Sequence, residues 1–214
     1  NCNFTNNFAS SQGGAIRFSR SGTVTNCNFT NNSAHYGGAI YFEYGSTGTV
    51  ENCNFTGNKA TWGGAILFAG KGSVTNCNFT ANQATREGGA IWMGSGSVTN
   101  CNFTGNNATT GSAIYFYWES STKTIFNSIF LNNRANSEAL EVIKNENNIT
   151  ITFTGNDNLL NAIYSPDDVS FTNVTYWGAN GITNTGISEI KPSRSNKEAG
   201  QNITVGVVVN DRQR

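Results

Sequence analysis

The stretch that decides the fold runs Asn26-Cys27-Asn28-Phe29-Thr30-Asn31-Asn32-Ser33-Ala34-His35-Tyr36-Gly37-Gly38-Ala39-Ile40-Tyr41-Phe42, and the chain repeats it. Its Asn-Cys-Asn-Phe-Thr opening starts at Asn1, Asn26, Asn52, Asn76 and Asn100, and its Gly-Gly-Ala-Ile tetrad starts at Gly13, Gly37, Gly63 and Gly88. Cys2, Cys27, Cys53, Cys77 and Cys101 advance by 25, 26, 24 and 24 residues. That period marks a stacked solenoid, in which each unit buries its apolar side only against its neighbours. A leucine-rich repeat would need a leucine framework, which is missing. Each unit instead reads as short strands broken by Gly, Asn and Ser, so the expectation is a parallel β-helix.

Within the unit from Asn26 to Glu51, Cys27 and Phe29 alternate with polar Asn28 and Thr30. Gly38, Ile40 and Phe42 alternate with Ala39 and Tyr41, and Val50 follows a Gly-Ser-Thr-Gly turn. This predicts three strands per coil and about seven coils, rising roughly 4.8 Å each. Three apolar rows point inward: Phe4, Phe29, Phe55, Phe79, Phe103, Phe130, Phe153 and on to Phe171; Ile16, Ile40, Ile66, Ile91, Ile114, Leu140 and Ile163; and Phe18, Phe42, Phe68, Met93 and Phe116. Each large side chain contributes about 1.5–3 kcal/mol on burial, against the entropy of ordering. Gly14, Gly38, Gly64 and Gly89 precede the inward Ile by two residues, where a side chain would crowd the lumen or the corner needs positive φ.

The pattern decays along the chain. Ser128, Ile151 and Val169 take the Cys position, and 174–186 reads as a cap over the last coil. Beyond it a Lys-Pro-Ser linker at Lys191 precedes alternating Ile203, Val205, Val207 and Val209, which look like the first strands of a separate β-sandwich. The expected organisation is a β-helix with cap over 1–186 and a linker with a truncated sandwich over 187–214, all part of a longer surface protein.

Composition excludes some partners. Charged residues are 12% of the chain and the formal net charge is zero, which argues against nucleic acid or anionic membrane as a partner. No stretch has the apolar length of a membrane span. The cysteine row reads as buried packing, because adjacent rungs with parallel side chains lie farther apart than a disulfide's Cβ atoms and no converging ligand set suggests a metal. No cofactor is expected.

Asn-x-Ser/Thr sequons include Asn28, Asn54, Asn78, Asn102 and Asn107 as candidate glycosylation positions. Their repetition also follows from structure, since Asn tolerates left-handed corners and stacked Asn side chains hydrogen-bond along a ladder. Polysaccharide lyases and hydrolases of this architecture need clustered carboxylates. The glutamates here occupy unrelated turns, and only Asp157, Asp167 and Asp168 come close in sequence, near the cap. His35 is the only histidine and shows no evident partner in the sequence. The position between the inward Ile and Phe is the candidate ligand-binding row: Arg17, Tyr41, Leu67, Trp92 and Tyr115, with Tyr36, Trp62, Tyr44, Tyr117 and Trp118 nearby. Strand alternation sends these residues outward, where a row of flat apolar faces suits sugar rings or a partner protein. The alternative is that long loops cover them.

The Asn-Cys-Asn-Phe-Thr-Asn-Asn and Gly-Gly-Ala-Ile-Tyr-Phe units, Ser33-Ala34 between them, Asn173-Val174-Thr175-Tyr176-Trp177-Gly178 and Ala199-Gly200-Gln201-Asn202-Ile203-Thr204-Val205 resemble adhesin-like surface proteins of gut and rumen methanogens. Gly-Gly-Ala-Ile with Phe-x-x-Asn is more distantly similar to repeats of chlamydial polymorphic membrane proteins. The resemblance implies an extracellular, cell-surface, right-handed β-helix followed by immunoglobulin-like modules, with a role in attachment to glycans or proteins of other cells. It supplies no catalytic residues. The functional expectation is therefore a non-enzymatic adhesin segment. A purely structural stalk is the alternative, and a β-helical polysaccharide lyase or hydrolase is the third class.

Overall fold

A computed structural model describes residues 1–117, 122–131 and 133–135, and short strands at 151–153, 163–164, 170–172 and 174–177. Asn-Phe-Thr triplets stack in parallel, in strict register, as Asn3–Thr5, Asn28–Thr30, Asn54–Thr56, Asn78–Thr80 and Asn102–Thr104, followed by Ile129–Leu131. Phe4, Phe29, Phe55, Phe79, Phe103 and Phe130 form one continuous ladder, their ring centroids 4.8–4.9 Å apart and their planes within 5° of parallel. A second parallel sheet carries Ile16–Phe18, Ile40–Phe42, Ile91–Thr99 and Ile114–Phe116. In this sheet Ile66–Thr75 runs unbroken through both the Ile-Leu-Phe and the Gly-Ser-Val-Thr segments. The core is the lumen between the sheets, filled by the Phe, Ile and Phe/Met rows and by Val24, Val50, Val74, Val98 and Ile125.

A third, four-stranded sheet escaped the sequence reading. Lys59–Trp62, Gln83–Glu87, Asn107–Ala108 and Arg134–Ala135 pair across the segment between the Asn-Phe-Thr strand and the tetrad. Its inward side chain is only an alanine at Ala60, Ala84 and Ala108, which leaves little apolar alternation to read.

The corner into the Ile sheet explains the tetrad. Gly37 takes φ of 62°, which Gly adopts without the clash an L side chain would meet. Gly38 follows with a different constraint: a Cβ there would sit 2.1 Å from the Gly64 carbonyl oxygen of the next coil. The obstacle is therefore the neighbouring coil's backbone rather than the lumen, and positive φ belongs to the first glycine of each pair. Ala39, expected to face outward, is buried with Ala65, Ala90 and Ala113. The N–H groups of both Ala39 and Ile40 donate to the Ala65 carbonyl, so alternation skips a step at this bend.

Asparagine builds three ladders. Asn32, Asn58, Asn82, Asn106 and Asn133 are buried. Each amide from Asn32 to Asn106 donates to the Oδ1 of the next coil's Asn, and each Nδ2 also donates to the carbonyl of a Phe in the preceding coil, all at 2.9–3.0 Å. The backbone N–H of each rung donates to the same Oδ1, so every turn of the chain is clipped to the next. Asn52, Asn76, Asn100 and Asn127 form an exposed ladder at left-handed corners, with φ of 47–54°. The third ladder is the exposed sequon row described below.

The described stack differs from the expected one in length and in order. Five turns separate the six stacked Phe residues, so the regular solenoid has about five coils rather than seven. After Phe130 the next Phe-sheet strand is Val174–Trp177, which sets Tyr176 beside Phe130 and places Phe153 one strand further on. Ile163 follows Ile114 directly, and Phe171 falls in the Val row opposite Ile125. Residues 174–177 thus pair as a rung of the Phe sheet. Once the Cys-Asn-Phe-Thr pattern ends, proximity in sequence no longer selects the pairing partner. Leu140, the stretch 178–186 and the proposed sandwich strands lie outside the described residues.

Candidate functional site

Two outward rows meet along the corner made by the tetrads. The first is the predicted one, and register places Arg17, Tyr41, Leu67, Trp92 and Tyr115 on consecutive rungs of the Ile sheet. The second consists of the residue before each Gly-Gly pair or its equivalent: Gln12, Tyr36, Trp62, Glu87 and Thr110, again rung on rung. Gly-Gly separates the rows and contributes no side chains, so the rows flank a depression instead of a ridge. Gln12, Tyr36, Tyr41, Trp62, Leu67 and Trp92 line a cleft of about 360 Å³ there.

Exposure along the first row departs from the expectation. Arg17 is exposed and Trp92 and Tyr115 are half-buried, but Tyr41 is 8% and Leu67 4% accessible. These two are the floor of the cleft, overhung by the second row: the Tyr36 ring centroid lies 6.4 Å from that of Tyr41. Tyr36 and Trp62 stack at 4.9 Å and 10°, and the Arg86 guanidinium sits 5.1 Å above the indole. His35, which lacked a partner in the sequence, packs edge-on against both rings and shares a 3.0 Å hydrogen bond between its Nδ1 and the Thr61 hydroxyl. Trp92 stacks with Tyr115 at 6.2 Å and Tyr117 at 5.0 Å, and its indole N–H donates to Glu87 at 3.4 Å.

At one end of the cleft Arg17 and Glu43 form a 2.9 Å ion pair across adjacent coils. Burial, with the Glu43 carboxylate adding to it, raises the pKa of the Tyr41 phenol, so its hydroxyl remains protonated at neutral pH. The surface is accordingly apolar at its floor and walls, with amide, carboxylate and guanidinium groups at the margin. That combination suits a neutral ligand that buries an apolar face and hydrogen-bonds at its edges. Sequence reasoning assigned Tyr36 and Trp62 to loops and missed Gln12, Arg86 and Glu87. The available signal was the residue immediately before each glycine pair.

The other candidate positions spread elsewhere. Asn28, Asn54, Asn78 and Asn102 are exposed on the Phe sheet, each Nδ2 donating to the preceding coil's Oδ1 at 2.8–2.9 Å. Asn107 is half-buried in the short sheet. Cys27, Cys53, Cys77 and Cys101 are free and buried, whereas Cys2, expected to be buried with them, is free and exposed. Each of the first three donates its backbone N–H to the next coil's sulfur at 3.4 Å, and Ser128 continues the row by accepting from Cys101 at 3.1 Å. A hydrogen bond with the Cys101 thiol, with burial adding to it, pushes the Cys77 thiol up to about 12. Cys53, raised likewise by its hydrogen bond with Cys77, and Cys77 are packing thiols held in the protonated form. Among the described residues no three His, Cys, Asp or Glu side chains converge as a metal site, and no helix is long and apolar enough to cross a membrane. Asp157, Asp167 and Asp168 lie outside the described residues, as does Trp118.

Residues 1–133 match the family model described as the right handed beta helix region. The chain belongs to the right-handed β-helix family. Neither the curated proteins nor the solved structures contain a match to it. The matched span of the right-handed β-helix ends at Asn133, the last rung of the buried asparagine ladder among the described residues, and it contains both rows of the cleft.

Proposed function

We propose that this right-handed β-helix is a non-enzymatic segment of a surface protein, displayed outside the cell, that attaches to glycans or proteins of other cells through the aromatic cleft. The observation that carries the reading is the convergence of the two outward rows, which brings Tyr36, Tyr41, Trp62 and Trp92 into one cleft on a hydrogen-bonded scaffold. Tyr and Trp combine large apolar contact with a polar tip and suit both sugar rings and protein surfaces. Each contact of this kind is weak, and several copies of the protein on one surface add by avidity. Adhesin-like surface proteins are the resemblance that motivates the cellular setting.

A second reading, a structural stalk, has a specific observation in its favour: Tyr41 and Leu67 are already covered, so part of the aromatic row serves packing. The two separate experimentally. Replacing Tyr36 and Trp92 together with Ser removes half-buried rings without touching the lumen. The attachment reading expects this variant to keep its melting temperature within a few degrees and to lose binding to target cells and glycan arrays. Undiminished attachment by a folded double variant would leave the stalk as the better account.

A further inference from the structure

A second depression lies beside the stacked Tyr36 and Trp62 rings, apart from the aromatic cleft. Phe8, Ser33, His35, Lys59, Thr61 and Thr85 line this groove of about 310 Å³. Phe8, Ser33 and Lys59 stand on consecutive rungs of one row, which continues through Gln83 and Asn107 to Arg134 without a carboxylate. His35 joins groove to cleft, since it lines the first and packs edge-on against the Tyr36 and Trp62 rings that line the second.

The groove is cationic in a chain whose formal net charge is zero. The carboxylates among the described residues are Glu43, Glu51 and Glu87, and none of them lines it. Glu43 is held by Arg17, and Glu87 accepts from the Trp92 indole on the cleft side. Lys59 is exposed, and among the described residues no ion pair or side-chain hydrogen bond engages its ammonium. Its charge is therefore open to an anion from solution. The Ser33 side chain stands one rung from Lys59, about 4.8 Å along the stack. A carboxylate fits this donor set, because its two oxygens take the ammonium and one hydroxyl, whereas the third oxygen of a sulfate would face only water. Phe8 is 75% exposed and offers a bare ring two rungs from Lys59. The backbone N–H groups of Lys59, Thr61 and Gln83 already donate within the stack, so a peptide cannot extend this sheet. At about 310 Å³ the groove lies near the lower limit of ligand sites, roughly 300–1,000 Å³, which suits one or two sugar units.

We propose that this groove binds a terminal acidic sugar, a pyranose bearing a carboxylate, with the carboxylate on Lys59 and Ser33 and the ring against Phe8. The Thr61 and Thr85 side chains face the remaining sugar hydroxyls, and the Thr61 hydroxyl is oriented by the hydrogen bond it shares with His35. The site goes beyond the attachment reading, uses a different part of the surface and does not depend on the aromatic cleft.

The test titrates the full chain with sialyllactose and a glucuronate-ended disaccharide as carboxylated probes, lactose as the neutral one, sulfated lactose and a glutamate-rich peptide. Calorimetry and saturation-transfer NMR follow binding at low and high salt. The expected result is saturable binding of a carboxylated probe that weakens with salt and exceeds that of lactose by about tenfold. Lys59→Ala should lose about the same tenfold, while Lys59→Arg keeps most of the affinity. Phe8→Ala should weaken binding severalfold and reduce saturation transfer to the sugar ring protons. Both side chains are exposed, and should Lys59→Ala fail to fold, Lys59→Gln takes its place with the same loss expected. Lactose bound as tightly as the carboxylated probes overturns the proposal, as does tighter binding of sulfated lactose or of the peptide. Parental affinity in the folded Lys59 variant overturns it too. No target cell enters these measurements, so their failure leaves the attachment reading standing, and undiminished attachment by Tyr36→Ser/Trp92→Ser leaves the acidic-sugar site standing.

Discussion

The residue after each Asn-Phe-Thr triplet must be left-handed, and this chain fills the position unevenly. Asn6, Asn31, Gly57 and Gly105 have φ of 52–65°, and Ala81 is held at 54°. Asn and Gly visit this region at little cost, whereas an alanine Cβ meets the following carbonyl at about 1–2 kcal/mol. Ala81 is exposed, so nothing in its own packing compensates. Ala81→Gly is expected to raise stability by about 0.5–1 kcal/mol, after the larger backbone entropy of glycine in the unfolded chain is deducted. Urea denaturation of the two proteins checks it, and an unchanged or lower midpoint would show that the corner is not strained.

The asparagine ladders show how one side chain performs different work on different elements. In the buried ladder Asn82 accepts from both the backbone N–H and the side chain of Asn58 and donates to the Phe55 carbonyl, all at 3.0 Å. Removing it strands several buried polar groups, each costing about 1–3 kcal/mol. Asn78 makes the same kind of amide-to-amide bond at 2.8 Å, but on the exposed Phe-sheet face where water replaces it. Asn82→Ala should therefore lower stability by roughly 3–6 kcal/mol, and Asn78→Ala by less than about 1 kcal/mol. Comparable losses in chemical denaturation would mean that the buried ladder is not what clips the coils together. Asn78 opens the Asn-Phe-Thr strand on its exposed face, whereas Asn82 follows the left-handed corner at Ala81 and turns inward, and that placement alone distinguishes them.

In the molecule as a whole, each coil touches only its neighbours, so stability is carried by a line of interfaces. Phe79 stacks on Phe55 at 4.9 Å and on Phe103 at 4.8 Å, in the middle of the ladder. Phe79→Ala removes both contacts and opens a cavity, a change that costs about 3–5 kcal/mol in well-packed cores. Because the defect is internal, the coils on its two sides should lose cooperativity with one another. Hydrogen exchange is expected to show faster exchange first at Asn78–Thr80 and the strands beside it, with the two ends of the stack less affected. Uniform acceleration along all the coils would indicate a single cooperative unit.

The period, the three inward rows, the parallel stacking and the exposed sequon row are legible in the sequence. A 24–26-residue register can bury its Phe and Ile residues only by placing each on its equivalent in the next coil. The five-residue candidate row was legible too, since it alternates with Ile and Phe, and register keeps it on one line. Its depth was not. Tyr41 and Leu67 are covered because the tetrad corner folds a second row, Gln12 to Thr110, beside the first, and that proximity arises from the bend and not from either strand's pattern. The ladder beyond Phe130 was misread for a related reason. Where equivalent residues cease to repeat, local periodicity no longer names the partner of the open edge, and the register pairs Tyr176 rather than Phe153 with Phe130.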